Sequence, residues 1–362
     1  MFRRKTEGPE ESLAREDELN AFDLDEDSRE SSSAHGAVRR FAPDELVACG
    51  KCSRANAPTR MNCLYCGAPL PVTEQSAALR RPALRKLEEW EQGFNIVLHP
   101  PSTRPAPETI EELAAFLRLD AARLSEMLDA GTTLPVARAA SGEEAELIVS
   151  RIKARGLDAE VLNDDLLART PVRVRALGFD ADALVLMTTA EATPAGVFWD
   201  KVVLLVVGRI VTRRVELEER PSKLSGRGRL TDAREVASDE AVLDIYTSDA
   251  EHEGFRVMAD GFDYSCLGAG KGLLARDNFK TLVAELRARA ASAALDEGYA
   301  RLRAQLASAW PPAERNESGG LRRERPGRLN TESVTVVSNE AQFTRYARMR
   351  RLLVLRGRAK SL

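Results

Sequence analysis

The sequence has no apolar run long enough to cross a membrane. Its most apolar stretch, from Val202 to Val211, contains Gly208 and Arg209 and is about half as long as a membrane-spanning helix. The basic N-terminal residues are followed by acidic ones, where a secretory signal would have an apolar segment. We therefore expect a cytoplasmic protein in which Val202–Val211 forms a buried strand.

Neither sign of charge dominates, and a net charge of −3 selects no class of partner. The distribution is uneven, however, with eleven acidic and seven basic residues in 1–40 and eleven basic and three acidic residues in 321–362. A basic end of this kind suits nucleic-acid phosphates, acidic protein faces or anionic lipid. A solvated arginine face on a helix explains it equally well.

Histidine is scarce, and its placement does not indicate catalysis. His35, His99 and His252 have the spacing neither of a metal-ligand pair nor of a base beside a nucleophile. Residues Gly268–Gly272 are similar to part of a phosphate loop but lack its first glycine and its hydroxyl residue, so we interpret them as a turn before a helix. We expect no enzymatic activity. The alternative is a catalytic site assembled from distant residues.

Cysteine is also infrequent, but four of the five cysteines form two Cys-x-x-Cys pairs. These are Cys49, Cys52, Cys63 and Cys66. Two such turns supply the tetrahedral four-sulfur shell that zinc prefers, and metal binding provides folding energy that so short a segment cannot obtain from a core. We predict one structural Zn²⁺; a redox pair or an iron–sulfur cluster is the alternative. We interpret Cys266 as a core residue.

The residues around the four cysteines resemble two families of zinc module. In the bacterial zinc-ribbon pattern an asparagine lies between the pairs and Cys-Gly-x-x-Leu ends the motif, and here Asn56, Gly67 and Leu70 hold these places. The spacing also resembles the Ran-binding-protein-type zinc finger. That family has a tryptophan where this chain has Val47, and its ubiquitin-reading members have Thr-Phe where this chain has Ser53-Arg54.

The resemblance implies the four zinc ligands and leaves the partner open. Without the tryptophan, the base-stacking platform of the RNA-reading members is missing. Polar residues of the same segment could still contact a phosphate or a base. The candidate nucleic-acid or partner contacts are Arg54, Asn56, Arg60 and Asn62.

At 362 residues the chain exceeds one ordinary core, so we predict a multidomain α+β protein. Composition and turn residues divide it into six segments. These are a disordered acidic and serine-rich segment (1–43), a zinc-ribbon knuckle (44–71), a linker (72–88), a small α/β sandwich (89–168), an antiparallel β-rich domain with a long helix (172–315), and a basic loop with a C-terminal helix (316–362).

The predicted sandwich has the order β-α-α-β-α-β. Phe94–Leu98 is its first strand, and Thr109, Asp120 and Ser141 are the expected helix N-caps. The acidic helix after Ser141, its glycine stop at Gly156 and the final strand resemble the C-terminal domain of the bacterial ribosomal stalk protein. That resemblance implies a helix that docks translation factors; a common sandwich reused for other protein binding is the alternative.

The C-terminal half contains apolar and polar residues in alternation, which is typical of half-buried antiparallel strands. The predicted strands lie within 173–189, 198–219, 241–247 and 254–267, with a hairpin turn at 249–254. A long helix begins at Asp277 and continues, with a break at Gly298, to Pro311. Strands followed by such a helix resemble a pleckstrin-homology or GRAM-like domain.

A last helix, Glu340–Leu355, follows a predicted glycine- and arginine-rich loop at Ser318–Arg328. It has Arg345, Arg348 and Arg351 at intervals of three residues, so we expect them to share one exposed face. These arginines are further candidate contacts for nucleic acid or a partner.

Two functions fit these observations. The first is a non-enzymatic, zinc-binding adaptor whose modules bind other proteins. The alternative is an RNA- or ribosome-associated factor that uses the zinc knuckle and the basic C-terminal helix. Salt dependence discriminates between them, because phosphate contacts weaken steeply with salt and apolar protein contacts do not.

Overall fold

The computed structural model describes residues 40–71, 73, 76, 79–80, 82–88, 91–188, 194–221, 228–249, 254–325 and 328–357. Most of the predicted disordered segment, with His35, lies outside these ranges, as do His252 and most of the predicted turn at 249–254. The chain divides into two compact units, residues 1–46 and 47–362. In the first unit, a short 3-10 helix spans Pro43–Glu45.

The second unit contains all the strands and helices used below. The strands are β1 (Val47–Ala48), β2 (Ala55–Asn56), β3 (Phe94–Leu98), β4 (Leu134–Ala139), β5 (Ala159–Asn163), β6 (Val172–Phe179), β7 (Ala183–Thr188), β8 (Ala195–Phe198), β9 (Val202–Pro221), β10 (Gly228–Thr247), β11 (Phe255–Met258), β12 (Ala294–Asp296), β13 (Ala313–Arg325) and β14 (Arg328–Ser338). The helices are α1 (Pro107–Leu117), α2 (Ala121–Asp129), α3 (Gly142–Ala154), α4 (Asp164–Leu167), α5 (Ala275–Arg289), α6 (Tyr299–Leu306) and α7 (Glu340–Leu355). Within the described residues, no helix is both long and apolar enough to span a bilayer.

The predicted β-α-α-β-α-β order is confirmed: β3 lies between β4 and β5 in an antiparallel three-stranded sheet. Asp120 and Ser141 cap α2 and α3 as predicted, since their side-chain oxygens accept hydrogen bonds from backbone N–H groups of the first turn. The prediction for Thr109 is wrong. Helix α1 begins at Pro107, which suits the first helical position because proline has no N–H to leave unpaired.

The larger sheet is mixed, with nine strands in the order β13-β14-β9-β10-β11-β6-β7-β8 and β12 beside β9. The predicted antiparallel β-rich domain also contains two parallel pairs, because β11 runs parallel to β6 and β12 runs parallel to β9. In both pairs the chain returns through several intervening elements. Parallel pairing requires such a crossover, whereas a tight turn forces neighbouring strands to be antiparallel.

Two long hairpins extend this sheet beyond the predicted strands. Strands β9 and β10 have 20 residues each and pair along their whole length. The predicted loop at Ser318–Arg328 is wrong, since its described residues belong to β13 and β14, which pair with each other, and β14 also pairs with β9. Backbone pairing therefore decides the conformation of a segment whose composition indicates a loop.

The last helix, α7, has the predicted bounds. The predicted long helix from Asp277 is shorter than expected, because α5 ends at Arg289. The chain then adds β12 to the edge of β9 before α6 begins with Gly298 as its N-cap. The predicted break at Gly298 therefore coincides with a helix start, and a strand separates the two helices.

The sandwich and the larger sheet share one hydrophobic core, in which Ile96 of β3 joins residues of β9, α6 and α7. The buried indole of Trp310 donates from Nε1 to Asn95 Oδ1 at 2.7 Å, which ties the C-terminal part to β3. Helix α7 approaches β9 closely at Gly208, where any Cβ would collide with the ring of Phe343. The sandwich is thus held against the large sheet by buried side chains.

Candidate metal centre

The four cysteines lie in two turns of the same backbone shape. In the first turn, the N–H of Ser53 donates to Cys49 O at 2.8 Å, and in the second the N–H of Gly67 donates to Cys63 O at 3.0 Å. Ser53 and Gly67 follow the second cysteine of their turns and have φ values of 57° and 70°. Each turn therefore closes through a left-handed residue, and strands β1 and β2 lead into and out of the first one.

The sulfur atoms of these turns converge on one point. All four Sγ atoms lie within 4.8 Å of one another, and the distances Cys49–Cys66 and Cys52–Cys63 are both 3.6 Å. Tetrahedral zinc with Zn–S bonds of about 2.3 Å places its sulfurs about 3.8 Å apart. The four thiols are not joined as disulfides. Their number, spacing and chemistry fit a single tetrahedral metal ion.

The surrounding backbone favours thiolates at two of the positions. Burial raises the pKa of the Cys63 thiol, but hydrogen bonds from backbone N–H groups of its own turn and from the side chains of Cys52 and Asn56 together lower that pKa to about 6. Backbone N–H groups likewise lower the pKa of Cys49. At Cys52 a backbone hydrogen bond lowers the pKa, but burial and the neighbouring thiols raise it to about 12. Because a metal ion binds thiolates, loading this site releases protons.

Asn56 joins the two turns and is not a surface contact. Its side chain is buried, accepts a hydrogen bond from the N–H of Leu64 at 2.8 Å and donates to Arg54 O at 2.8 Å. The same amide nitrogen lies 3.5 Å from the Cys63 sulfur. The prediction of Asn56 as a partner contact is therefore corrected. It holds the second turn in register with the first and donates toward a ligand sulfur.

Arg80, in the predicted linker, also supports the knuckle. Its guanidinium is buried and donates to the carbonyl oxygens of Pro58, Leu70 and Pro71 at 3.2, 3.2 and 2.9 Å. Burial lowers the pKa of this group. The structural role of Arg80 was not predicted from the sequence, because a single arginine in a polar segment is normally a solvated side chain.

The exposed residues of the knuckle form a mixed surface. Arg54, Arg60 and Asn62 are exposed, and their role as partner contacts stays a prediction. Leu64 and Tyr65, between the last two cysteines, are 63% and 55% exposed, and the guanidinium carbon of Arg54 lies 4.7 Å from the centre of the Tyr65 ring. This apolar pair was not predicted from the sequence. Residues between the two cysteines of such a tight turn face away from the converging sulfurs, so the position of Leu64 and Tyr65 could have indicated their exposure.

The predicted exposed arginine face of α7 is corrected. Arg348 and Arg351 are buried and Arg345 is half-buried. Arg345 Nε lies 3.5 Å from the carboxylate of Asp164, Arg348 donates to Leu166 O at 2.7 Å, and Arg351 donates to carbonyl oxygens at the end of β10. These side chains connect α7 to the sandwich and to the large sheet, which leaves them little surface for an outside phosphate.

Substitutions at the two left-handed residues should change zinc affinity in opposite directions. At Gly67 a Cβ would meet no atom within 4 Å, so Gly67→Ala adds only the backbone cost of a left-handed alanine, about 1–2 kcal/mol. We expect about tenfold weaker zinc binding. Ser53→Gly removes the same cost and should tighten binding by a smaller factor, because glycine loses more entropy on folding. Competition with a colorimetric chelator measures both, and a change in the same direction would contradict the shared turn geometry.

Comparison with protein-family models, curated proteins and solved structures found no match to this chain. The resemblance to zinc-ribbon and Ran-binding-protein-type modules therefore rests on the motif and on the four cysteines that converge at metal-binding distance.

Proposed function

We propose that this chain is a cytoplasmic, non-enzymatic, zinc-binding adaptor whose knuckle docks a partner protein. The observation that carries the proposal is the exposed pair Leu64 and Tyr65 in the turn between two ligands. The backbone of this turn is fixed by its own hydrogen bonds and by Asn56. Exposed apolar side chains on a rigid turn lose little entropy on binding, which favours their use as anchors in an interface.

The chemistry of the pair suits a protein better than a nucleic acid. Leucine offers apolar area but no ring on which a base can stack. Tyr65 already has the Arg54 guanidinium over one face, so that face is not open to a base. An aliphatic, an aromatic and a cationic side chain side by side match the composition of protein interface centres, where aromatic residues and arginine are enriched.

The proposal of a non-enzymatic role draws on the placement of His99. This side chain is buried, with Nδ1 3.0 Å from Thr133 Oγ1 and Nε2 3.3 Å from Glu160 Oε1. Thr133 precedes β4 and Glu160 lies in β5. The imidazole therefore joins parts of the sandwich, which is a structural role.

RNA binding is the second candidate, and the charge of the knuckle favours it. Residues 47–71 contain Lys51, Arg54 and Arg60 and no acidic residue, and all three basic side chains are exposed. Such a surface suits phosphate contacts. With the α7 arginines engaged inside the protein, this candidate depends on the knuckle alone.

Affinity capture from a cell extract, with and without nuclease and at low and high salt, tests the proposal. We compare the zinc-loaded wild type with the double variant Leu64→Ser/Tyr65→Ser and with Arg60→Ser as a matched surface control. Docking through the apolar pair is supported if a partner protein is captured after nuclease treatment and at high salt. The wild type and Arg60→Ser should capture it, and the double variant should not. Salt-sensitive capture of RNA, lost in Arg60→Ser, would support the second candidate instead. Equal capture by all three proteins would overturn both.

A further inference from the structure

A loop remote in sequence from the knuckle presents a second exposed apolar pair. Leu273 is 104% exposed and Leu274 is 59% exposed, directly before α5 begins at Ala275. All residues from Gly268 to Asp277 are exposed. Residues Gly268–Gly272 lack two of the residues that a phosphate loop needs, and the proposed adaptor function does not use this segment.

The loop is held in this position by the fold. The buried side chain of Asn278 accepts a hydrogen bond from the N–H of Gly272 at 2.6 Å and donates to Gly272 O at 3.0 Å. The N–H of Lys271 donates to Gly268 O at 3.2 Å. These hydrogen bonds fix the backbone at Lys271 and Gly272. The two leucines that follow are therefore held in exposed positions. A fixed apolar projection of this kind marks an interaction surface.

The charged residues around the pair are mostly basic. Lys271, Arg276 and Lys280 are exposed, and Asp263 and Asp277 lie 3.7 Å from Lys271 and Arg276 respectively. Three positive and two negative charges leave the surroundings of the loop with one net positive charge. This balance suits an anionic surface more than a neutral or cationic one.

We propose that this loop binds the surface of an anionic phospholipid bilayer, with Leu273 and Leu274 inserted among the upper acyl carbons. Lys271, Arg276 and Lys280 then lie at the level of the lipid headgroups. The apolar pair projects from the protein, so a rigid partner would need a matching pocket to bury both leucines. A fluid bilayer closes around a projecting side chain without one, and basic side chains beside apolar ones are typical of proteins that bind its interface.

The expected binding is weak and reversible, because two leucines bury less apolar surface than one acyl chain. One net positive charge near an anionic surface should raise affinity about fivefold over that for a neutral membrane. Loss of both leucine side chains from the membrane should lower affinity at least about tenfold.

Vesicle sedimentation with the full, zinc-loaded chain tests this proposal. Vesicles of phosphatidylcholine alone and of phosphatidylcholine with phosphatidylserine are titrated to millimolar lipid. We expect the affinity of the wild type for vesicles that contain phosphatidylserine to be about fivefold higher than for phosphatidylcholine alone. The affinity of Leu273→Ser/Leu274→Ser should be at least about tenfold lower than that of the wild type. Val236→Ser is the matched control, since Val236 is also 59% exposed but lies on β10, and it should bind as the wild type does.

The outcome separates this proposal from the knuckle's function. Leu64→Ser/Tyr65→Ser should bind vesicles like the wild type, so a failure of protein docking leaves membrane binding unaffected. A wild type that stays in the supernatant with both kinds of vesicle overturns the proposal. So does a loop variant, folded by circular dichroism, that sediments as well as the wild type.

Discussion

Replacing Cys63 by serine should abolish stoichiometric zinc binding and unfold residues 47–70. The four sulfurs converge within 4.8 Å, and a serine hydroxyl is a far weaker zinc ligand than a thiolate. The buried side chains of the knuckle are few, with Val47, Leu70 and the cysteines at its centre. A structural zinc site supplies about 10–16 kcal/mol of folding free energy, and so small a core cannot replace it. This is the largest effect that we expect from a single substitution in the protein.

Elemental analysis and limited trypsin digestion measure the two parts of this result. The purified wild type should contain one equivalent of zinc and resist cleavage after Arg54 and Arg60. Cys63→Ser should contain none and be cut at both sites. Cys266→Ser is the matched control, because Cys266 is half-buried within the 3-10 helix Tyr264–Gly270, far along the chain from the other four cysteines. Full zinc content in Cys63→Ser, or loss of zinc in Cys266→Ser, would contradict the assignment of the ligands.

The knuckle and the sandwich could be predicted from the sequence because the residues that determine their turns and helix caps lie close together in the chain. Two Cys-x-x-Cys turns fix their own geometry within a few residues. Asp120 and Ser141 each accept hydrogen bonds from backbone N–H groups two or three positions later. Such features lie within a short window, so residue types at fixed spacing are enough to predict them.

The first part of β10 was not predicted from the sequence, because charged pairs accompany its backbone pairing with β9. Arg209 lies 2.7 Å from Asp239 and Arg213 lies 3.0 Å from Glu235, each between paired strands. Cross-strand ion pairs stabilise a solvated hairpin but produce no alternation of apolar and polar residues. Hydrophobic periodicity therefore indicates only the buried end of β10, at 241–247, whereas the predicted strand at 198–219 covers nearly all of β9.

The buried arginines of α7 were misread for a related reason. Arginine at intervals of three residues normally indicates a solvated helix face. Here the acceptors of Arg348 and Arg351 are carbonyl oxygens more than 100 positions away in the sequence. No local pattern predicts which distant segment will supply such an acceptor.

Replacing Arg256 by methionine should destabilise the large sheet by about 3–5 kcal/mol, the second largest effect that we expect. Arg256 and Asp244 are opposite each other on β11 and β10 and are both buried. Their guanidinium and carboxylate form two hydrogen bonds, at 2.7 and 2.8 Å, and Arg256 also donates to Glu340 and Thr344 of α7. The methionine leaves the Asp244 carboxylate buried without its cation, and the cost of that unpaired charge is the reason for the loss.

A second substitution distinguishes an unpaired charge from a loss of packing. If the charge causes the loss, Asp244→Leu/Arg256→Met should recover most of the stability, because a buried ion pair contributes little more than apolar residues of similar volume. Urea unfolding, followed by far-ultraviolet circular dichroism, gives the free energy of each variant, with Arg209→Met as a control on an exposed pair of the same sheet. The control should lose no more than about 1 kcal/mol. If the double variant were no more stable than Arg256→Met alone, the unpaired charge would not be the cause of the loss. The loss would then come from the packing of Arg256 and from its contacts with α7, which both variants lack.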